Sequence, residues 1–223
     1  MATKIIVSYD GTENDLDALA LGGLLARAGA SLSLAYVRHA QEVESGSERL
    51  AEDEADALLA TGAAVLEQPD IPRHVVLSGS TPEGLRELAL AENADLIVFG
   101  SEYRTAPGHV QPQASARRLL DGGPVALAFA PALFAERTDY RVATIAAIGE
   151  AGDPCARETA ESLAARLGAT IAERASSDVD LLVVGSRPGT VTGRVTISAA
   201  ADYLIELSNC PVVVVPRGVT IRF

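Results

Sequence analysis

Asp95-Leu96-Ile97-Val98-Phe99-Gly100-Ser101 returns as Asp180-Leu181-Leu182-Val183-Val184-Gly185-Ser186, 85 residues further along the chain. The offset holds without a gap from Asp95 to Pro131, which falls on Pro216, and 12 of those 37 positions are identical. A repeat this long lies outside the solenoid range and reads as two related domains. In each copy an unbroken aliphatic run, without polar alternation, predicts a strand buried on both faces of a parallel sheet. Gly-Ser closes the strand and a loop of about a dozen residues follows. Apolar residues then recur at helical spacing: Ala116, Leu119 and Leu120 in the first copy, Ala200, Ala201, Leu204 and Ile205 in the second. A last apolar run, Val125 to Ala130 or Val212 to Val215, ends at proline. In an open parallel sheet ligands sit outside the carboxyl ends of the strands, so the two Gly-Ser loops are the first places to look for a site.

Working outward, Ile5 to Tyr9 is a first strand and Asp15 to Arg27 a helix capped by Thr12 or Asn14. A second strand spans Ser31 to Val37, and His39 to Gly46 reads as a polar loop. Ser47 opens an acidic helix that reaches about Glu67. After His74 to Leu77, Thr81-Pro82-Glu83 starts a helix: a capping hydroxyl, a proline whose missing N–H costs nothing in the first turn, and an acid at the positive helix end. Beyond a connector, Ala132 to Tyr140, come a strand over Arg141 to Ile148, a helix from Asp153-Pro154 to Leu167, and a short strand over Ala169 to Glu173. Strands alternating with helices predict a parallel α/β sandwich. Asp10 and Gly100 are 90 residues apart but Gly149 and Gly185 only 36, so the second unit is a shortened copy. The expected domains are 1–134 and 140–223.

Composition removes several classes of chemistry. The net charge of −12 argues against a nucleic-acid partner, which requires a basic face. Lys4 is the only lysine, so a G-x-x-x-x-G-K-[ST] phosphate loop is absent. The same fact disfavours a phosphorylated receiver domain. Cys155 and Cys210 are far apart, and His39, His74 and His109 do not approach metal-ligand spacing. No G-x-S-x-G elbow and no Ser/His/Asp grouping is evident, which argues against an enzyme. No apolar run reaches the roughly 20 residues that span a bilayer, and the chain enters its first strand at once. No membrane contact and a cytoplasmic location are therefore expected.

Val7-Ser8-Tyr9-Asp10-Gly11-Thr12, Tyr36-Val37, Val98-Phe99-Gly100-Ser101 and Cys210-Pro211-Val212-Val213-Val214-Val215-Pro216, in this order and duplicated, resemble the universal stress protein family. The resemblance implies two sandwiches of the adenine nucleotide alpha hydrolase-like kind, the second truncated. ATP-binding members carry G-x2-G-x9-G-[ST] after the fourth strand. Here those positions read Gly100, Tyr103, Gln113 and Ala114, and then Gly185, Pro188, Ser198 and Ala199. By resemblance, Asp10 meets the ribose or adenine and Val37 offers backbone contacts to the base, while Gly100, the surviving leading glycine, and Ser101 beside it belong to the residual nucleotide cleft. The second unit has Gly149-Glu150-Ala151 where that aspartate belongs. Other roles stay open: the glycines as tight turns, Asp10 as a cap, Ser101 and Ser186 as loop hydroxyls.

With three of four motif positions lost in each copy, the expected function is non-catalytic. It is that of a stress-response sensor or interaction module, with no cofactor or only weak ATP. The alternative is an ATP-binding protein using the first-domain cleft. Family members commonly dimerise through their final strands, so an intramolecular pseudo-dimer is expected across Val125 to Ala130 and Val212 to Val215. A homodimer through other faces and a protein partner stay open.

Overall fold

The computed structural model describes residues 2–46, 51–149, 152–176 and 178–223. Five strands precede the connector: β1 (Lys4–Ser8), β2 (Ser31–His39), β3 (Arg73–Ser78), β4 (Leu96–Phe99) and β5 (Ala126–Phe129). Four follow it: β6 (Thr144–Ile148), β7 (Thr170–Ala172), β8 (Leu181–Gly185) and β9 (Val212–Val215). All lie in one sheet of order β3-β2-β1-β4-β5-β9-β8-β6-β7. Every pairing is parallel except β5 with β9, where Ala128 stands opposite Val213. Those two residues are 85 apart, so a local two-fold axis passes between repeat equivalents. The four valines of β9 are fully buried, each contributing roughly 1.5 kcal/mol or more through burial. This is why the run shows no polar alternation.

Helices cover both faces. On one lie α1 (Glu13–Arg27), α3 (Glu52–Val65) and α6 (Cys155–Leu167), packed on Val7, Val98, Ala128 and Val213. On the other lie α4 (Thr81–Glu92), α5 (Ala114–Leu119) and α7 (Ala199–Leu207), packed on Ile97, Leu127, Leu182 and Val214. Among the described residues no helix is long and apolar enough to cross a membrane.

Three local expectations change. The polar stretch after His39 forms a helical turn and a half, α2 (Ala40–Ser45), rather than a loop. The predicted helix start at Ser47 lies outside the described residues. β6 begins at Thr144 rather than Arg141, because the Asp180 carboxylate accepts the N–H groups of Ala143 (2.9 Å) and Thr144 (2.8 Å) where the strand enters the sheet. The connector contains a 3₁₀ turn over Phe134–Glu136, tied to α1 by Asp17, whose carboxylate accepts from Leu133 N–H (2.9 Å) and Ala135 N–H (2.8 Å).

Candidate functional site

Strand lengths create the cleft. β1 ends at Ser8 opposite Ala35, whereas β2 runs on to His39 beside β3. The first five strands reverse direction of travel between β1 and β4, the kind of switch point where a doubly wound sheet opens. The notch there has a volume of about 250 Å³ and is lined by Tyr9, Asp10, Asp15, Tyr36, Val37 and Phe99, among others. His39 Nε2 lies 3.0 Å from Thr81 Oγ1, joining the end of β2 to the start of α4 as one wall. Gln113 and Ser115, at the start of α5, form another.

Of the four residues marked from the sequence, the structure brings Asp10 and Val37 into this lining but not Gly100 or Ser101. Gly100 faces α1 instead. A Cβ there would stand 2.0 Å from the Asn14 carbonyl oxygen, so the glycine lets the end of β4 pack on the first turn of the helix. Ser101 is 1% exposed. Its hydroxyl donates to Ala130 O (2.7 Å) and accepts from Gln111 N–H (3.1 Å). Ser186 repeats this with residues 85 further on, donating to Val215 O (2.8 Å) and accepting from Thr196 N–H (3.3 Å). The serine in each copy is a latch that closes its loop against the last strand. Tyr103, in the second motif position, is exposed beneath the Arg104 guanidinium, 4.9 Å from the ring centroid. Gln113, in the third, donates from its side chain to Ser101 O at 3.4 Å. The corresponding turn of the second copy, at Glu150 and Ala151, lies outside the described residues.

Asp15 is the cleft residue that the sequence hides. Its carboxyl accepts from the N–H groups of Asp10 (2.6 Å) and Thr12 (3.4 Å). The spacing from Thr12 to Asp15 reads as an ordinary capping box, and nothing in it reports burial. Burial, and then the hydrogen-bonded carboxyl of Asp10, push its pKa up to about 8. Burial likewise raises Tyr9, with Asp15 and Asp10 adding to the effect. Burial and the neighbouring Asp10 carboxyl thus favour the protonated form of Asp15.

That proton fixes the sign of a pH dependence. Between the ordinary aspartate value and about 8 the folded chain binds the proton and the unfolded chain does not. The stability is therefore fully present at low pH and lost as pH rises through the folded value. Asp15→Asn keeps an acceptor for the two N–H groups and removes the ionisation. It is expected to abolish about 2 kcal/mol of stability loss between about pH 6 and about pH 8. Urea titrations of both proteins across that range check this, and equal slopes would refute it.

A duplicated, doubly wound α/β chain with a notch at its first switch point defines the class. A profile of the universal stress protein family matches residues 1–131 and again 132–216. The chain belongs to the universal stress protein family. Among solved structures, a universal stress protein from Archaeoglobus fulgidus is 14% identical with a TM-score of 0.72, covering 96% of this chain and 98% of its own. A protein of unknown function from Pseudomonas aeruginosa is 15% identical with a TM-score of 0.64, covering 96% and 93%. A universal stress protein from Archaeoglobus fulgidus in complex with dAMP is 17% identical with a TM-score of 0.34, covering 43% and 78%. Comparison with curated proteins gives no match.

Proposed function

We propose that the protein is a non-catalytic universal stress protein, a sensor or interaction module of two units (1–134 and 140–223) that meet as an intramolecular pseudo-dimer. Its first-unit cleft retains the nucleoside end of a nucleotide site and has lost the grip on phosphates. One observation carries the reading. The Ser101 hydroxyl, beside the leading glycine of the loop, is buried and already bonded to Ala130 and Gln111, and the position where the motif carries its hydroxyl is Ala114. The surrounding positions support it: Gly100 is committed to Asn14, and Tyr103 and Gln113 bring side chains where open backbone is needed.

Isothermal titration with Mg-ATP is expected to give no sub-micromolar binding, and tight binding would overturn the reading. Asp10 and Val37 favour the second reading, an adenine-nucleotide protein, because both line the cleft. If nucleotide binds there, Asp10→Ala is expected to weaken it about tenfold, near 1.4 kcal/mol. An unchanged affinity would remove Asp10 from the site.

A further inference from the structure

The outer face of α1 lacks the polar residues expected of a helix that meets water. Leu16, Ala20, Gly23 and Arg27 stand at i, i+4, i+7 and i+11, one stripe outside the buried set that ends in a cation. Val65 and Leu66 at the end of α3, with Phe134 and Tyr140 of the connector, complete a mainly apolar groove of about 470 Å³. Leu16 is 40% exposed and Val65 53%, so the groove has an apolar lip. Its connector wall is fixed by bonds made elsewhere. Asp17 holds the N–H groups of Leu133 and Ala135, and the Tyr140 hydroxyl donates to Asp180 O. Phe134 meets Tyr140 edge to face, with ring centroids 4.8 Å apart. A wall held in this way takes a ligand without first being ordered.

A second groove, of about 510 Å³, continues the first. The two share Leu24, Arg27, Thr138 and Tyr140, and the second adds Asp139 and Arg141. One trough therefore has an apolar arm and a polar arm that join at Arg27. Its charge runs against the rest of the molecule. The chain has 18 basic and 30 acidic residues, yet Arg27, Arg137 and Arg141 line the trough against Glu67 and Asp139. Arg137 is engaged, donating to Asn209 O at 3.1 Å and lying over the Tyr140 ring. Among the described residues Arg27 and Arg141 form no ion pair. We propose that the trough binds a free long-chain carboxylate, its alkyl chain in the apolar arm and its head group on Arg27 and Arg141. The chain leaves water against Leu16, Leu66 and Phe134, and a guanidinium fork matches a carboxylate. A cationic amphiphile meets an excess of like charge in the same place. The volumes are those of a small-molecule site. The trough shares no lining residue with the first-unit notch, so its ligand is independent of any nucleotide there.

Isothermal titration of the full chain with decanoate, below its micelle concentration, is expected to show one site with a dissociation constant of about 1 mM or tighter. Decyltrimethylammonium, with the same chain and the opposite charge, is expected to bind at least tenfold more weakly. Arg27→Gln with Arg141→Gln is expected to weaken decanoate at least tenfold, and the fold is kept because both side chains are exposed. Gly23→Leu tests the other arm. A Cβ at Gly23 meets only Leu66 Cδ2, at 3.7 Å, so the larger side chain fills the groove rather than the core. It is expected to weaken decanoate at least tenfold with the melting temperature retained. Binding is expected to weaken between about 0.05 M and about 0.5 M salt as the head-group attraction is screened. Absence of saturable decanoate binding would overturn the proposal. So would equal affinity for the cationic probe, or an affinity indifferent to both the arginine and the glycine changes. Retention of the protein on phosphatidylglycerol vesicles without decanoate binding would overturn it in favour of a membrane surface.

Discussion

Gly100→Ala is expected to destabilise the protein by about 3 kcal/mol and lower its melting temperature by about 10 °C. The new methyl would fall 2.0 Å from the Asn14 carbonyl oxygen and 2.8 Å from its carbon. Neither atom belongs to a side chain that can rotate away. Relief requires moving the first turn of α1 or the end of β4, and both are anchored: Asp15 holds the turn, and β4 is paired on both edges. The repeat supplies an internal control. At Gly185 the nearest atoms to an added Cβ are 3.4 Å away, ordinary contact, so Gly185→Ala is expected to cost less than about 1 kcal/mol. Urea unfolding of the two variants checks the contrast. It also separates two explanations of one glycine. If Gly100 were there only to let a phosphate approach, Gly100→Ala would lose nucleotide and keep its stability; equal midpoints for the two variants would favour that account.

The same contrast shows what the sequence makes legible. Buried strands announce themselves because both faces are apolar, and Val212 to Val215 or Leu96 to Phe99 admit no other placement. Thr81-Pro82-Glu83 likewise places the start of α4 through local chemistry alone. What stays hidden depends on contacts between distant segments. Gly100 announces a need for space but not which neighbour needs it, and Asn14 lies 86 residues away. The Ser101 hydroxyl is the same atom whether it faces a ligand or Ala130. Asp15 looks like a cap because it is one, and its raised pKa comes from burial that a capping pattern does not encode. The cleft itself comes from β2 outrunning β1, a difference in strand ends that local patterning leaves uncertain.

Val213→Asp is expected to open the seam between the halves at a cost of about 4 kcal/mol. Val213 is fully buried, stands opposite Ala128 at the local two-fold axis, and belongs to the core shared by α1, α3 and α6. A carboxylate there loses its hydration without gaining a partner. Val213→Ala, which only removes volume, is expected to cost about 2 kcal/mol; the excess of the aspartate over the alanine measures the buried charge. The seam is where that cost is most easily relieved. Three register pairs join β5 to β9. Outside the sheet the halves share buried apolar packing on both faces and polar contacts that include Arg117 with Asp202 and Glu206 and the backbone bonds of Gly122 and Gly123 with Val195. Exposed ion pairs of this kind contribute about 1 kcal/mol or less. Native-state hydrogen exchange is therefore expected to show Leu127 to Phe129 and Val212 to Val214 losing protection first in Val213→Asp, with β1 and β2 still protected. Uniform loss of protection over all nine strands would mean that the halves unfold as one body and that the seam is no weaker than the cores it joins.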